Sequence, residues 1–416
     1  MRGIIYIKNA ECSIRQAVKG ARELMEIQYF DGYLMSKDDV LAEIKQGKIT
    51  TVFNRALLPI YIERTRDLPT WLEKRAIDEH RTNSRLLKKV LRLSEKDNIS
   101  TTLAVHAVTI TDTYWVKPKN SSLTWDDVRF RENYFSSLAL RGDLSAFSHH
   151  PSRTPELTNI GSFEKCWSLD NGKWWLHKRA NQMELFSELF IYHLGKSLGF
   201  SMAHYEPFGE DIRSLDFTNG AKTNYEPAYS WMGEDEDYIA NYHALKKYGK
   251  QFADQYVEML LMDSYCLNAD RHTFNYGILR SVETGECLCM APNFDNNIAL
   301  ISNGYLKGDR KPDLLGRLLH ELEVETGAVS EYTSRHALPI VTHEMIDRCI
   351  DAVNIPVDRD YIHRFVMVGY KQTPIYDMAQ KQLDWRIQRA EQMAMRQCSD
   401  ATASSKESSW EMKGRD

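Results

Sequence analysis

The sequence lacks three features that would place it in a specialised class of protein. No run of about 18 consecutive apolar residues occurs, which argues against a transmembrane helix. Basic residues do not outnumber acidic ones, since the net charge is −5, and this argues against a strongly basic nucleic-acid surface. The seven cysteines are scattered without a Cys-x-x-Cys pair, so a zinc motif is not indicated.

The N-terminus also lacks the long apolar stretch and the small-residue cleavage site of a secretory signal. Its first residues, MRGIIYIKNAEC, contain a four-residue apolar burst and then become polar. Together with the scattered cysteines, this predicts reduced thiols in a cytoplasmic protein. The apolar fraction of 43% and the charged fraction of 27% are typical of globular proteins. A length of 416 residues favours two or three domains or lobes.

Residues 1–150 give few clear signals, and the sequence assigns no role to this N-terminal region. Within it, residues 37–48 are predicted to form a helix, because a serine can cap the segment and apolar residues follow at helical spacing. These residues are Ser36, Val40, Leu41 and Ile44. A second helix is predicted over residues 82–94, where apolar and basic residues alternate at similar spacing.

The pattern of residues 151–217 predicts a small, β-rich lobe that carries one helix. Two strands flank the Asp-Asn-Gly sequence at 170–172, which strongly favours a β-hairpin. A helix with an apolar stripe follows over residues 181–198 and stops at a glycine. Two further strands complete the segment.

Residues 218–397 are predicted to form a larger, mainly helical lobe. Apolar residues recur at helical spacing over 236–265 and again over 312–396, with a strand-containing, loop-rich stretch between them. The polar tail, residues 398–416, has the composition of a disordered segment. The predicted fold class is therefore α+β, with two lobes and an extra N-terminal region.

The stretches NADRHTFNYGILR (268–280) and APNFDNN (291–297) carry residues suited to phosphoryl transfer. Asp270 and Asn275 are five residues apart, the offset of the Asp and Asn in the catalytic loop of protein kinases. Asp295 follows an apolar strand end, where kinases place the metal-binding Asp of D-F-G, although the glycine is absent here. Asp270 is thus a candidate catalytic base, and Asn275 and Asp295 are candidate oxygen ligands of Mg²⁺.

Two further kinase parts lie upstream in the expected order. Lys178 ends a tryptophan-rich strand, where its amine could reach nucleotide phosphates. Glu188 lies in the following helix and is predicted to form an ion pair with Lys178, although Glu184 is one turn away and could take its place. Gly161, in TNIGSFEK, stands where a turn that covers phosphates is expected.

These residues resemble the HipA-like serine/threonine kinases, whose catalytic loop is D-x-H-x-x-N and whose metal-binding Asp lies in a short FD segment. The matching residues in this sequence are Asp270, His272 and Asn275 in the loop and Phe294-Asp295 in the second segment. LTNIGSFEK resembles the nucleotide loop of that family, and LDF (215–217) falls near its hinge. The resemblance spans roughly residues 157–395, and the sequence of residues 1–150 identifies no family.

The resemblance implies a two-lobed, kinase-like fold with ATP bound between the lobes and Mg²⁺ as the metal. The implied catalytic residues are Asp270, Lys178 and Glu188, and the implied metal ligands are Asn275 and Asp295. The implied nucleotide-binding residues are Ile160, Gly161, Ser162, Lys165, Lys178, Asp216, Phe217, His272, Asn275 and Phe294. In that family a serine of the nucleotide loop is autophosphorylated, which makes Thr158 or Ser162 the candidate acceptor here.

The resemblance also implies partners, since the type member of that family is a toxin that phosphorylates a protein and acts with an antitoxin. The expected partners are ATP, an unidentified protein substrate and an antitoxin-like protein, with no membrane and no direct nucleic-acid contact. Two alternatives stay open at the level of sequence. One is a non-catalytic, nucleotide-binding regulatory module, and the other is a small-molecule or lipid-type kinase.

Charged residues near the motifs allow two further predictions. Asp263, seven residues before Asp270, is predicted to be a structural hydrogen-bond acceptor for the catalytic loop. Arg310 and Lys311 follow Asp295 at the place of an activation segment. They are expected either to receive a phosphate or an acidic substrate, or to be solvated charges.

Overall fold

The N-terminal region folds around a four-stranded antiparallel sheet. The structure, a computed structural model, describes residues 27, 30–93, 97–143, 153–161 and 163–411, with 394–411 as backbone only. The strands pair in the order β3-β2-β1-β4. They are β1 Gly32–Ser36, β2 Asp39–Lys45, β3 Lys48–Val52 and β4 Tyr114–Pro118.

Six short helices complete this N-terminal module, which we define as the described residues between 30 and 143. They are α1 Ile60–Thr65, α2 Leu68–Glu73, α3 Ser84–Val90, α4 Asn98–Leu103, α5 Trp125–Val128 and α6 Ser136–Arg141. The first helices pack their apolar side chains, including Ile62, Leu68 and Leu72, against the sheet. The helix α3 lies within the segment 82–94, and the helix predicted there is confirmed, although it is shorter than expected.

The helix predicted over residues 37–48 is wrong, because this segment forms strand β2 and its turns. Leu41 and Ile44 are both buried, as expected, but they belong to a strand. The register of β2 shifts against both of its neighbours, once opposite Leu34/Met35 and once at Glu43/Ile44. Such bulges break the strict alternation of a strand, so the apolar residues fall at a spacing that resembles a helix.

The second sheet belongs to the small lobe and has the order β5-β6-β8-β7. Its strands are β5 Lys165–Asp170, β6 Lys173–Lys178, β7 Tyr205–Phe208 and β8 Asp211–Leu215. The predicted hairpin between β5 and β6 is confirmed: Asn171 and Gly172 both have positive φ, 50° and 74°, as a two-residue primed turn requires. The predicted helix is also confirmed as α7 Gln182–Ser197, which Asn181 caps.

The third sheet, of order β11-β10-β9, belongs to the helical lobe. Its strands are β9 Thr223–Pro227, β10 Gly277–Ser281 and β11 Cys287–Met290. The helices of this lobe are α8 Tyr229–Met232, α9 Tyr238–Lys246, α10 Lys250–Cys266, α11 Leu314–Thr326, α12 Ala328–Thr333, α13 His343–Val353, α14 Arg359–Lys371 and α15 Pro374–Glu411. Within the described residues, no helix is long and apolar enough to cross a membrane.

The helix α10 is the central element of the large core. Its residues Phe252, Tyr256, Met259 and Leu260 are buried in the main hydrophobic cluster, which confirms that this aromatic and methionine stripe is core. Because α10 is buried on most sides, its C-terminal end fixes the position of the loop that follows it. The backbone of the last helix, α15, extends to Glu411, into the tail for which the composition predicts disorder.

The N-terminal module is attached to the helical lobe by a buried polar cluster. Arg280 of β10 donates to Glu226 of β9 at 2.9 Å and to the carbonyl oxygen of Leu58 at 2.8 Å. The hydroxyl of Tyr114, on β4, also donates to Glu226, at 3.1 Å. These long-range bonds hold the module beside the site described next.

Candidate active site between the two lobes

The loop after α10 brings Asp270, His272 and Asn275 to one cavity between the lobes. The amide nitrogen of the Asn275 side chain donates to the carbonyl oxygen of Asp270 at 2.9 Å. The backbone N–H of Asn275 donates to the carbonyl oxygen of His272 at 2.8 Å. These two bonds close the loop into a tight turn, so its side chains project together from one short segment.

Arg271 fixes this loop to the segment that carries Asp295. Its guanidinium donates to both carboxylate oxygens of Asp263, at 2.9 and 2.8 Å, which confirms the structural role predicted for Asp263. It also donates to the carbonyl oxygens of Asn275, at 2.8 Å, and Phe294, at 2.7 Å. The spacing of the motifs did not identify Arg271 as a site residue. Its position next to Asp270 in the sequence was the signal that could have done so.

The amine of Lys178 and the carboxylate of Asp295 form the central ion pair of the site, with Nζ and Oδ1 2.5 Å apart. Burial acts to raise the pKa of Asp295, but the nearby charges of Lys178 and Lys165 outweigh it and lower that pKa to about 2. Asp295 is therefore ionised at neutral pH. Its φ of 62° lies in the left-handed region, a conformation that non-glycine residues adopt mainly at turns and functional sites.

Glu188 lies near this ion pair, but its carboxylate is hydrogen-bonded to the backbone that follows Asp295. Its Oε1 atom accepts from the backbone N–H of Asn296 at 3.0 Å. Its charge helps to raise the pKa of Lys178, against the effect of burial and alongside Asp295. The expected pair of Lys178 with Glu188 is thus replaced by a chain in which Asp295 is bonded to Lys178 and Glu188 supports the segment of Asp295.

Tyr205 is a further residue of the site that sequence reasoning missed. Its hydroxyl oxygen accepts from the backbone N–H of Asp295 at 3.1 Å. Burial, together with the charges of Glu188 and Asp295, raises the pKa of Tyr205, so the phenol stays protonated. It holds Asp295 from the strand β7, and no sequence signal distinguishes it from an ordinary buried tyrosine.

The loop before β5 covers the cavity from the small lobe. Gly161 has a φ of 113°, and a Cβ atom there would lie 2.3 Å from Nζ of Lys165. Lys165 and Lys178 are directly paired across β5 and β6. Burial lowers the pKa of Lys165 to about 7, with the positive charge of Lys178 acting in the same direction. Ser162 lies outside the described residues.

Thr158, the other candidate acceptor, has a buried hydroxyl in this conformation. It lies in the 3₁₀ turn Pro155–Thr158. The hydroxyl donates to the carbonyl oxygen of Val108, in the N-terminal module, at 2.6 Å. Phosphorylation of Thr158 would therefore require this turn to move away from the module.

At the hinge, the side chain of Asp216 is used by its own turn. Its Oδ1 atom accepts from the backbone N–H of Thr218 at 2.9 Å, and its Oδ2 atom accepts from that of Gly220 at 2.6 Å. Phe217 packs against Phe294, with ring centroids 5.4 Å apart. Phe217 and Phe294 therefore offer an apolar wall, whereas Asp216 serves mainly to shape the hinge.

The cavity that these elements enclose has a volume of about 280 Å³. Most of the predicted site residues line it: Thr158, Ile160, Gly161, Lys165, Lys178, Asp216, Phe217, Asp270, His272, Asn275, Phe294 and Asp295. Part of the wall comes from the N-terminal module, including Tyr61, Trp71 and Lys74. No sequence signal linked that module to the site.

The donor set fits a magnesium–nucleotide complex better than a metal held by protein alone. Among the described residues, no group of three or more His, Cys, Asp or Glu side chains could hold a metal ion. Asn275 and Asp295 both face the cavity and supply oxygen atoms. Mg²⁺ binds through one or two protein oxygens and takes its other ligands from phosphates and water, so these two residues could hold it with a nucleotide.

Arg310 does not belong to the site. It is buried and donates to the carbonyl oxygens of Tyr265, at 2.8 Å, and Ser264, at 2.6 Å, and to the carboxylate of Asp313, at 2.7 Å. Both roles considered for it from sequence, a phosphate receptor and a solvated charge, are therefore wrong. Arg310 instead anchors the segment after Asp295 to the end of α10.

Comparisons with known proteins agree with this architecture. No protein-family model matches the chain, and no curated protein sequence does. Among solved structures, the chain is similar to HipA of the Shewanella oneidensis MR-1 toxin–antitoxin system, solved with HipB and operator DNA. The two share 13% sequence identity and a TM-score of 0.54, over 82% of this chain and 96% of that chain.

A second similar structure is the proinflammatory kinase CtkA of Helicobacter pylori. It is 15% identical, with a TM-score of 0.38, and the match covers 52% of this chain and 95% of that chain. The fold is shown by the similarity to HipA and by the architecture of the chain itself. The chain has a kinase-like α+β fold with a β-sheet lobe and a helical lobe, as the sequence predicted.

Proposed function

We propose that this protein is an ATP- and Mg²⁺-dependent protein serine/threonine kinase of HipA-like type. The observation that supports this best is the convergence of Lys178, Asp295, Asp270 and Asn275 on one cavity, although they come from three separate segments of the chain. A charged amine, two oxygen ligands and a free carboxylate are the groups that phosphoryl transfer requires.

Each residue has a proposed task that its surroundings support. Asp270 orients or accepts the proton of the acceptor hydroxyl, since it lines the cavity and no side chain of the described residues bonds to its carboxylate. Lys178 and Lys165 hold the phosphates, and Asn275 and Asp295 hold the metal. Bound Mg²⁺ would neutralise charge on the phosphate oxygens. The small-lobe loop around Gly161 covers the phosphates and excludes water.

The test is transfer of label from γ-labelled ATP to protein or peptide acceptors, with phosphosite mapping. Asp270→Asn should lower the rate at least about 100-fold, the usual contribution of a general base, without loss of folding. Asp295→Ala should abolish metal-dependent transfer. Asp384→Asn, at an exposed position on α15, is the matched control and should keep full activity. Transfer at the wild-type rate by the Asp270→Asn variant contradicts the proposed role.

Autophosphorylation is part of the proposal, with Thr158 or Ser162 as the acceptor. For Thr158, the modification has to break the hydrogen bond to Val108. Labelled Thr158 should therefore be accompanied by greater proteolytic cleavage near residues 153–161. If neither residue carries label while other acceptors are phosphorylated, the chain is a kinase that does not autophosphorylate at these residues.

Measurements on the same purified protein distinguish the non-catalytic alternative from a kinase. If calorimetry shows ATP binding while no acceptor tested receives phosphate, a nucleotide-binding regulatory module becomes the better interpretation. Phosphorylation of a small molecule or lipid, but of no protein, would favour the other alternative. The Shewanella oneidensis protein is described in complex with HipB and DNA. We accordingly propose a protein partner of antitoxin type for this chain. Purification of the tagged chain from a cytoplasmic extract tests whether such a partner is recovered with it.

A further inference from the structure

The N-terminal module contributes an aromatic and cationic surface to the cavity beside the catalytic loop. Tyr61, on α1, stacks on Tyr229, with ring centroids 5.7 Å apart and planes 14° apart. Tyr229 stacks in turn on Phe274, at 4.6 Å and 18°. Since Phe274 stands between Asp270 and Asn275 in the chain, this row of rings connects the module to the loop that carries the proposed base.

Lys74, at the end of α2, places its ammonium group on this row. Its Nζ atom is 5.1 Å from the ring centre of Tyr229 and 5.8 Å from that of Phe274. Both distances are within the range of cation–π attraction. The rings thus hold the ammonium group at the catalytic loop.

The charge of Lys74 is weakly compensated. Its Nζ atom is 3.9 Å from Oε1 of Glu234, a long distance for an ion pair, and the two side chains are 39% and 84% exposed. The adjacent Arg75 differs, because it forms a two-pronged bond to Asp112 at 2.9 and 2.8 Å. Of these two neighbouring cations, Lys74 is therefore the one available to a ligand in the cavity.

The position of Lys74 separates it from the groups assigned to the nucleotide. Lys165 and Lys178 belong to the small-lobe strands, and Gly161 to the loop before them. Lys74 instead contacts a ring of the catalytic loop itself. An anionic group drawn to Lys74 would lie at the catalytic loop, which also carries Asp270, the proposed base.

We propose that Lys74, Tyr229 and Phe274 form an acceptor subsite that binds a carboxylate-bearing side chain next to the hydroxyl that is phosphorylated. This inference depends on the proposed kinase function and specifies its substrate class, a protein segment with an acidic residue near the acceptor. It also gives the N-terminal module a role in substrate selection.

The test uses the full chain, Mg²⁺, γ-labelled ATP and serine or threonine peptides with Asp, Ala or Lys at each flanking position. Wild type should prefer an acidic flank. Lys74→Met should raise the KM for acidic peptides about tenfold, the value of one hydrogen bond to a charged group, and leave kcat and the KM for ATP near wild type. Lys74→Arg should restore the preference, and Lys74→Glu should shift it toward Lys-flanked peptides. Lys48→Met, exposed on β3 of the same module, is the control.

Other outcomes overturn the inference in distinguishable ways. A raised KM for ATP would place Lys74 on the nucleotide side, and an equal fall in kcat for every peptide would assign it to the transferred phosphoryl group. If wild type phosphorylates no peptide, the proposed function fails, but measuring peptide binding still tests the subsite. Fluorescence anisotropy of the same peptides with the ADP-loaded chain then has to show an acidic preference that Lys74→Met removes.

Discussion

Arg271 connects three elements of the site. It joins α10, the catalytic loop and the Asp295 segment through one buried guanidinium. A buried charge needs several partners to offset its desolvation, and Arg271 has them on three elements. Since it lies within the loop, next to Asp270, it reaches partners on both sides of the loop.

Replacement of Arg271 by Met should destabilise the protein strongly. The substitution leaves the carboxylate of Asp263 buried without its partner, and breaking such a pair costs about 3–5 kcal/mol. Urea denaturation of both proteins measures the free energy of unfolding. Arg359→Met provides the control, since Arg359 pairs with Asp347 and Asp351 at the surface and should cost less than about 1 kcal/mol. If Arg271→Met loses as little stability as Arg359→Met, the Arg271 network is not structural.

Lys165 should make stability depend on pH. Its pKa is lowered by burial from 10.5 to about 7 in the folded chain. Between these values the unfolded chain holds a proton that the folded chain lacks, so stability should rise with pH through this window. Lys165→Met should remove the rise.

Denaturation at about pH 6 and about pH 9 tests this linkage. The stability of Lys165→Met relative to wild type should be greater at the lower pH. Lys48→Met, at an exposed lysine, should follow wild type at both values. A difference between Lys165→Met and wild type that stays constant with pH would mean that Lys165 keeps an ordinary pKa.

At the scale of elements, the loop of Gly161 and the turn of Gly172 both contain a glycine with positive φ, but the surroundings of the two glycines differ. Both glycines have positive φ, 113° and 74°. Nothing lies within 4 Å of a Cβ at Gly172, whereas at Gly161 the amine of Lys165 would be 2.3 Å away. The turn therefore needs glycine for its backbone alone, whereas a side chain at Gly161 would also displace the amine of Lys165.

This difference predicts the behaviour of two alanine variants. Gly161→Ala and Gly172→Ala should each lose about 1–2 kcal/mol of stability, because alanine is strained at positive φ. Only Gly161→Ala should also weaken ATP binding, by several-fold, since Lys165 has to move. Calorimetric titration with ATP and Mg²⁺ measures the affinity. Equal affinities for the two variants would exclude a role for Lys165 in holding the nucleotide.

At the scale of the whole molecule, the N-terminal module is held to the helical lobe by contacts of very different strength. Arg280 and Glu226 of the lobe form a pair that is 4–5% exposed and that bonds to Leu58 and Tyr114 of the module, whereas the module's Lys37 and the lobe's Glu283 are 42% and 70% exposed. A buried pair is costly to break, and an exposed one contributes little. The buried cluster should therefore determine whether the module stays docked.

Arg280→Met should loosen the module and destabilise the protein by about 3–5 kcal/mol, because Glu226 is left buried. Lys37→Met should change stability by less than about 1 kcal/mol. Limited proteolysis, followed by mass spectrometry, would detect release of the module as new cleavage between residues 119 and 165. If the first variant resists proteolysis as wild type does, other contacts hold the module in place.

Local sequence patterns were sufficient for the parts of the fold that short-range physics controls. The hairpin at Asn171-Gly172 needs only two residues with positive φ, and α7 needs a cap and an apolar stripe. The order of the motif residues likewise indicated that Lys178, Asp270 and Asp295 belong together. Their spacing follows from the kinase-like fold, and the solved HipA structure supports that fold.

Only the tertiary structure decided which partner each of these residues has. Lys178 bonds to Asp295, 117 residues away, rather than to Glu188 in the neighbouring helix, and Thr158 is buried by a carbonyl group of the N-terminal module. The bulges of β2 also made a strand resemble a helix. In each case the outcome depends on contacts between distant segments, and these leave no periodicity in the sequence because the chain brings them together only on folding.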